Sequence, residues 1–508
     1  MNMMKKTRIA IAALLMVVSL NSCNLDKFPH SAISTDEALE SPEDCRSFLV
    51  GLYAGMKYVF TGTMIYAPEL QTDLYHAVQN FGNFEGDFYH WSLQASNSTA
   101  TSVWYGLYSY IGNANFLIEG ALGLLESDYL TNAERAAVQE YYGEACYIRA
   151  HLYYLLVNYF CEDYDPDFAD QQLGVPVVTL YRPTPDQSKY PKRDNLQVVY
   201  DQILNDLDEA AKYVLTNGTP MAAYVTKDVV TALQARVALS MEDYGVAYNK
   251  AVSLISTNRY PLVSNKSSYA SGWAEDTLAE AIWQIKMTSM TDIGNGFPYF
   301  IYNQSGEAGD DNPQYVPEDW VLDLYSSDDI RYDAYFQERN ITTPVTGTLT
   351  LFIKYPGNRN LYAAVTNYVN MPKVFRISEM YLIAAEAAAM KSTPDVENAN
   401  YYLNTLKSRR IPSWRTTNYT ASELMPEIKK ERVRELFGEG QRLFDLKRWH
   451  DDITRSKGQD ESLIFQGEKY AGLKRTYSED KDNYVWPIPT AEMQSNPQME
   501  QNPAYTNL

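Results

Sequence analysis

The chain has 508 residues and carries 64 acidic against 43 basic side chains, a formal charge of −21 at neutral pH. An acidic excess of this size disfavours binding to nucleic acid or to anionic lipid headgroups. Tyrosine is abundant, with 42 Tyr beside 17 Phe and 8 Trp, and its ring gives a flat amphipathic surface. No Gly/Ser-rich or Pro-rich linker divides the body, so we predict a single lobed domain over residues 36–508.

The N-terminal residues have the features of an export signal. Three basic residues among the first eight precede an apolar run over residues 9–20 that is too short to span a bilayer. The next residues, Leu20-Asn21-Ser22-Cys23, resemble a bacterial lipobox. We therefore predict removal of residues 1–22, acyl chains on Cys23 and a polar tether over residues 23–35. Cleavage would change the formal charge from −21 to −24, because the removed segment carries three basic and no acidic residues.

Motifs for metal, cofactor or nucleophilic chemistry are not found in the sequence. The remaining cysteines, Cys45, Cys146 and Cys161, are odd in number and have no CxxC spacing, so neither a disulfide framework nor a zinc site is predicted. The histidines form no HExxH motif, and there is no P-loop or G-x-S-x-G motif. An acidic stretch over residues 306–312 lacks the ligand order of an EF-hand. We predict no metal and no cofactor.

Hydrophobic periodicity predicts a mainly α protein. The clearest helix covers residues 132–160, where apolar residues recur at alternating steps of three and four. Two candidate helix pairs follow, at residues 227–241 with 244–255 and at residues 373–390 with 397–409. Small residues in the first pair make it similar to a tetratricopeptide unit. Long aromatic-rich stretches near residues 61–100 and 262–320 predict ordered, functional loops that form a lobe beside this helix-pair scaffold.

Four segments carry motifs of one protein family: CYIRAHLYYLLVNYF (146–160), YDQILNDLDEAA (200–211), FRISEMYLIAAEAAA (375–389) and IKKERVRELFGEGQRLFDLKRW (428–449). The segment at residues 428–449 is the most specific. It resembles the pattern I-x-x-E-R-x-x-E-L-x-x-E-G-x-R-x-x-D-L-x-R-W. By these motifs the chain resembles the SusD/RagB family of nutrient-binding lipoproteins of Bacteroidetes.

The resemblance implies a SusD-like helical fold and a function. That function is non-catalytic capture of an oligosaccharide at the extracellular face of the outer membrane. The ligand would then pass to a SusC-like TonB-dependent transporter. Two alternatives stay open at this stage. One is a peptide-binding lipoprotein of the RagB type. The other is a surface glycosidase, which needs two carboxylates about 5–9.5 Å apart across a cleft.

The acidic residues of the C-terminal motif invite a catalytic interpretation, but their spacing favours a structural one. Glu431, Glu435, Glu439 and Arg442 follow one another at steps of four and three, which would place them along one helical face. Gly438 and Gly440 are unfavourable inside a helix and predict a break or a close backbone approach there. We therefore predict that the motif supports the fold.

Two aromatic segments are candidates for the ligand site. The first segment covers residues 66–91 and the second covers residues 294–302. Stacking of flat rings on sugar faces, combined with directional polar groups, is the mixture that sugar recognition requires. The alternative, that these aromatics simply cover the long helices, stays open. We predict that Trp283 and Trp320, which lie in regular apolar contexts, belong to the core. The predicted ligand-binding residues are Asp73, Tyr75, Tyr89 and Trp91 in the first segment, and Phe297, Tyr299 and Tyr302 in the second.

Overall fold

A computed structural model describes residues 38–290, 292, 311–363, 365–455, 458–466 and 473–506. This part of the chain is mainly helical, which confirms the predicted fold class. The helices are α1 (Pro42–Val59), α2 (Thr63–Leu70), α3 (Gly86–Tyr89), α4 (Ser98–Leu125), α5 (Asn132–Phe160), α6 (Leu196–Tyr213), α7 (Lys227–Ser240), α8 (Tyr244–Ser256), α9 (Lys266–Ala274), α10 (Asp319–Leu322), α11 (Tyr332–Tyr335), α12 (Ile377–Met390), α13 (Val396–Arg410), α14 (Ala421–Leu436), α15 (Arg442–Arg448), α16 (Tyr477–Asp480) and α17 (Thr490–Ser495).

The strands are short and form antiparallel pairs. They are β1 (Tyr75–Ala77), β2 (Ala281–Gln284), β3 (Tyr315–Pro317), β4 (Phe336–Ile341), β5 (Gly347–Phe352), β6 (Lys373–Arg376), β7 (Ile453–Thr454) and β8 (Lys474–Arg475). The pairs are β1 with β3, β2 with β6, β4 with β5, and β7 with β8. Short 3₁₀ helices cover Gln187–Lys189, Arg359–Leu361, Lys481–Tyr484 and Pro503–Tyr505.

Local signals account for the start of the longest helix. Thr131 caps α5 in a capping box with Glu134, so two backbone N–H groups that the helix leaves unbonded are satisfied. The observed bounds agree with the prediction of a helix over residues 132–160. The predicted pair at 227–241 and 244–255 is confirmed as α7 and α8, with ends that differ by one residue.

The predicted helix over residues 373–390 is wrong in its first four residues. Lys373–Arg376 form β6, and the helix begins at Ile377. Strand β6 pairs with β2, where Arg376 lies opposite Ala281. A partner strand almost a hundred residues away in sequence therefore decides the conformation of this segment, and local periodicity cannot reveal such a partner.

The helices pack as neighbouring pairs around one hydrophobic core. Helix α5 packs against α4 and α6, while α12 packs against α8, α13 and α14. Helix α1 packs against α4 and α5, and buries Leu49, Leu52 and Met56. The regions predicted as long loops contain short elements of their own, since α2, β1 and α3 lie within residues 61–100.

A cluster of buried charges, here called the Glu435 cluster, joins the C-terminal motif to the rest of the fold. Glu435 accepts hydrogen bonds from Arg376 Nη1 (2.6 Å), Arg410 Nε (2.9 Å) and Arg331 Nη1 (3.0 Å). Arg410 also pairs with Glu280 at 2.7 Å. These side chains are at most 1% exposed. The surrounding guanidinium groups hold the pKa of Glu435 well below its usual range.

The prediction that the C-terminal motif forms one helical face is only partly correct. Helix α14 ends at Leu436, and Gly438 and Gly440 follow with φ of 76° and 74°, which confirms the predicted break. Glu439 pairs with Arg376 and with Lys354, and Arg442 pairs with Asp73. Glu439 and Arg442 thus take their partners from distant segments, whereas Asp445, farther along, pairs with Arg432 of α14.

We expect Glu435→Gln to destabilise the protein by at least about 3 kcal/mol, because the variant leaves buried cations without their counter-charge. Urea unfolding followed by circular dichroism measures this. Glu397→Gln is the matched control, since Glu397 is exposed on α13 and its removal should change stability by no more than about 0.5 kcal/mol. Equal unfolding midpoints for the two variants would contradict this view of the cluster.

A second prediction concerns Glu69 on α2, which is fully buried and accepts a hydrogen bond from Gly440 N at 2.6 Å. Burial raises the pKa of Glu69 from 4.5 to about 8. The folded protein therefore keeps a proton that the unfolded chain releases, and this group's contribution to stability falls as the pH rises through that window.

Glu69→Gln keeps the acceptor and removes the ionisation. We expect the free energy of unfolding of the variant to increase relative to that of the wild type as the pH rises from about 5 to about 8. The difference should reach at least about 1 kcal/mol at the upper end. Melting temperatures measured at each pH test this. Parallel curves for the two proteins would show that Glu69 does not change its charge in this range.

Candidate functional site

The first aromatic segment packs against residues 315–320 in one lobe. Strand β1 pairs with β3, with His76 opposite Val316. Tyr315 Oη donates a hydrogen bond to the Phe84 carbonyl (2.6 Å), and Trp320 Nε1 donates to the Asp73 carbonyl (2.7 Å). The first segment and residues 315–320, which lie at the end of the second predicted long loop, are therefore held together by backbone pairing and by side-chain hydrogen bonds.

Three of the predicted ligand-binding residues in the first segment are buried. Tyr75 and Tyr89 are both 0% exposed and Asp73 is 7% exposed. The Tyr75 ring packs 4.9 Å from that of Phe437, and the Arg455 guanidinium lies 4.0 Å above the Tyr89 ring. Both carboxylate oxygens of Asp73 accept hydrogen bonds from Arg442, at 2.9 and 2.8 Å. Direct contact with a ligand stays a prediction for these residues and would require them to become exposed.

Trp91 is the member of this group that reaches the surface. Its Nε1 donates to the Gln71 carbonyl (2.8 Å), and its ring meets Tyr484 edge to face at 5.1 Å. The ring is thus held in a fixed orientation while part of it faces solvent. Trp283 is fully buried, as predicted, and Trp320 lies partly buried against the core. Cys23, Phe297, Tyr299 and Tyr302 lie outside the described residues.

A cleft with a volume of about 400 Å³ opens beside this lobe, between the end of α1 and the start of α4. Tyr58, at 61% exposed, presents most of its ring to solvent there. None of the described residues that line the cleft is acidic or basic. They are Tyr58, Val59, Thr63, Met64, Ser98, Thr99, Ser102, Val103, Gly106, Leu107 and Tyr110.

Hydrogen bonds connect the cleft to the first aromatic segment. Thr99 Oγ1 donates to Glu85 at 2.9 Å, and Thr63 Oγ1 lies 3.0 Å from Tyr66 Oη. The Tyr66 ring in turn contacts that of Phe84, with 5.4 Å between ring centroids. Burial raises the pKa of Glu85. One wall of the cleft is therefore built on the segment that the sequence singled out.

An ion pair joins α1 to residue 292. Lys57 Nζ donates to Asp292 at 2.8 Å, and Asp292 also accepts from the backbone N–H groups of Thr288 (2.7 Å) and Ser289 (2.9 Å). Lys57 directly precedes Tyr58 in the chain. The ion pair thus links residue 292 to the last turn of α1.

Sequence reasoning missed the residues of this cleft because it searched for ligand contacts in aromatic segments without helical periodicity, whereas the described lining residues lie on α1, α2 and α4. Ser98, Ser102, Gly106 and Tyr110 follow one another at steps of four along α4, which places them on one helical face. Such a stripe of small and hydroxyl-bearing residues was the available signal. A stripe of that kind also occurs where one helix packs closely against another. Only the open space in front of α4 shows that this stripe lines a cleft.

The chemistry of the cleft is suited to binding and not to acid–base catalysis. Ring faces stack on apolar ligand surfaces, while hydroxyl groups both donate and accept hydrogen bonds. A hydrolytic site needs a pair of carboxylates across the cleft, and the described lining supplies none. Glu431, Glu435 and Glu439 are bound by internal cations and do not face the cleft.

Comparison with known proteins gives consistent matches. A model described as "SusD family" matches residues 337–505, and one described as "Starch-binding associating with outer membrane" matches residues 24–239. SusD-like protein P38 of Formosa agariphila is 24% identical, covering 99% of this chain and all of the relative. SusD-like protein P25 of the same organism is 21% identical, covering 98% of both chains.

Solved structures share the fold. A SusD superfamily protein from Bacteroides thetaiotaomicron superposes with a TM-score of 0.76 and 24% identity, covering 91% of this chain and all of the other. A SusD superfamily protein from Bacteroides vulgatus gives a TM-score of 0.75 and 22% identity, covering 92% of this chain and 99% of the other. Surface glycan-binding protein A from Bacteroides fluxus gives a TM-score of 0.69 and 18% identity, covering 91% of this chain and 99% of the other. The two family models together match more than half of the sequence, and the chain belongs to the SusD/RagB family.

Proposed function

We propose that this protein binds an oligosaccharide in the cleft between α1 and α4 and does not cleave it. The observation that carries the proposal is the combination of an exposed ring, Tyr58, with the hydroxyl groups of Thr63, Ser98, Thr99 and Ser102 around one open space. A sugar ring offers an apolar face and several hydroxyl groups, so both parts of the ligand find a partner.

Membership of the family supports a carbohydrate ligand. One matching family model is described as starch-binding, and one structural neighbour is a surface glycan-binding protein. The cleft is open and its described lining has no acidic residue, which favours a glycan over a peptide. The same observation argues against the glycosidase alternative, because none of the described lining residues is a carboxylic acid that could act as general acid or nucleophile.

We further propose that a lipid on Cys23 anchors the protein at the outer membrane, with its body on the extracellular face. The lipobox-like sequence and a family model described as associating with the outer membrane support this location. The ligand would pass to a SusC-like TonB-dependent transporter. An open cleft suits such a transfer, since a ligand that stays partly hydrated binds with modest affinity and leaves readily.

The first test is removal of the exposed ring. A glycan array identifies a ligand, and calorimetry then compares the wild type with Tyr58→Ala. We expect the dissociation constant to rise about tenfold, which corresponds to about 1.4 kcal/mol of lost stacking and burial. The ligand should be recovered unhydrolysed after the titration.

The matched control is Tyr129→Ala, which removes a ring that is 67% exposed in the connection between α4 and α5, outside the cleft. Its affinity should equal that of the wild type. If both tyrosine variants bind as the wild type does while Trp91→Ala loses affinity, the platform lies at Trp91 and the cleft proposal is wrong.

A further inference from the structure

The described lining of the cleft is uncharged, although the protein as a whole has a formal charge of −21. Acidic and basic residues make up 21% of the chain, yet none of the described residues that line the cleft is one of them. A site for a carboxylated or sulfated sugar usually holds arginine or lysine, because these side chains replace the water that the anion loses. The lining offers no such replacement.

The sequence around the cleft extends this pattern. From residue 58 to residue 134 the chain contains neither lysine nor arginine, and the same is true from residue 287 to residue 330. The first stretch supplies all the described lining residues, and the second supplies Asp292, which pairs with Lys57 in the last turn of α1. Both stretches do contain acidic residues, so their net charge is negative.

Charged groups close to the described lining add to this negative field. Glu85 lies 2.9 Å from Thr99 Oγ1, and the Asp87 carboxylate accepts a hydrogen bond from Asn97, which caps α4. Glu85 is partly desolvated, and a charge in such a position is screened less than one in open solvent.

Cations that contact the structures supporting the cleft are already engaged. Lys57 is paired with Asp292, and Arg442 with Asp73. Arg455 is 1% exposed and donates to the Thr72 carbonyl at 2.9 Å. An arriving anion would therefore find no available positive partner among these residues.

We propose that the cleft selects electrically neutral oligosaccharides and rejects those that carry uronate or sulfate groups. This inference rests on the proposed function and names its substrate class. Neutral sugars lose only hydroxyl hydration on binding, and the serine, threonine and tyrosine hydroxyls replace it. An anionic sugar loses stronger hydration, gains no counter-charge and meets the field of the acidic residues.

The test compares neutral oligosaccharides with their own charged derivatives. Glucans, mannans, galactans and xylans of matched length are screened beside the sulfated form of each chain, and beside the C6-oxidised form of each hexose polymer. We expect the neutral form of the bound glycan to be preferred at least tenfold at about 0.05 M salt. The preference should decrease as the ionic strength rises, because salt screens the repulsion but does not change a steric fit.

A gain-of-function variant sharpens the test. Ser102→Lys introduces a cation at an exposed position of the lining, and we expect it to raise the affinity for the anionic derivatives severalfold. Ser253→Lys makes the same change of charge at an exposed position on α8, outside the cleft, and should leave the affinities unchanged. A gain in both variants would show that net charge is responsible and would overturn the assignment to the cleft.

The outcomes separate this inference from the proposed function. If the wild type binds a neutral glycan and its anionic derivative equally, and Tyr58→Ala weakens both, the selectivity is wrong while glycan binding in the cleft stands. If no glycan of either class binds, or if Tyr58→Ala leaves binding unchanged, the proposed function of the cleft fails and the selectivity fails with it.

Discussion

The Glu435 carboxylate and the arginines around it form the interaction on which the other parts of this structure depend. Charges removed from water are costly unless they are paired and hydrogen-bonded with good geometry. Glu435 meets this requirement only when α14, α13, β6 and the turn at Arg331 come together in one arrangement. Glu280, next to β2, completes the charge balance through Arg410. The cluster therefore fixes the helix-pair scaffold relative to the strands.

The same C-terminal motif extends from this cluster to the lobe that carries the cleft. After α14 ends, Gly438 and Gly440 turn the chain with positive φ, and a side chain at Gly438 would collide with the ring of Phe352. The backbone N–H of Gly440 then binds Glu69 on α2, and Arg442 binds Asp73. A motif whose composition suggests catalysis thus supports α2 and the first aromatic segment.

The position of the cleft follows from these constraints. Gly440 and Arg442 hold Glu69 of α2 and Asp73 of the first aromatic segment. Two lining residues, Thr63 and Thr99, are in turn within hydrogen-bond distance of Tyr66 and Glu85. Rigid support and an uncharged lining suit a ligand that is recognised through many weak contacts. Acidic residues around the cleft, and the acidic protein as a whole, add a long-range field that acts on charged ligands before contact.

Sequence alone determined the local features and the family. Periodicity located α5, α7 and α8, and the motif around Glu435 identified the relatives. Tertiary structure alone decided which residues face solvent: it buried Tyr75 and Tyr89, paired Asp73 with Arg442, turned residues 373–376 into a strand and exposed Tyr58 beside the hydroxyl groups of α4. The physical reason is that helix periods and caps depend on neighbours a few residues away, whereas burial and ion pairing depend on partners tens to hundreds of residues distant.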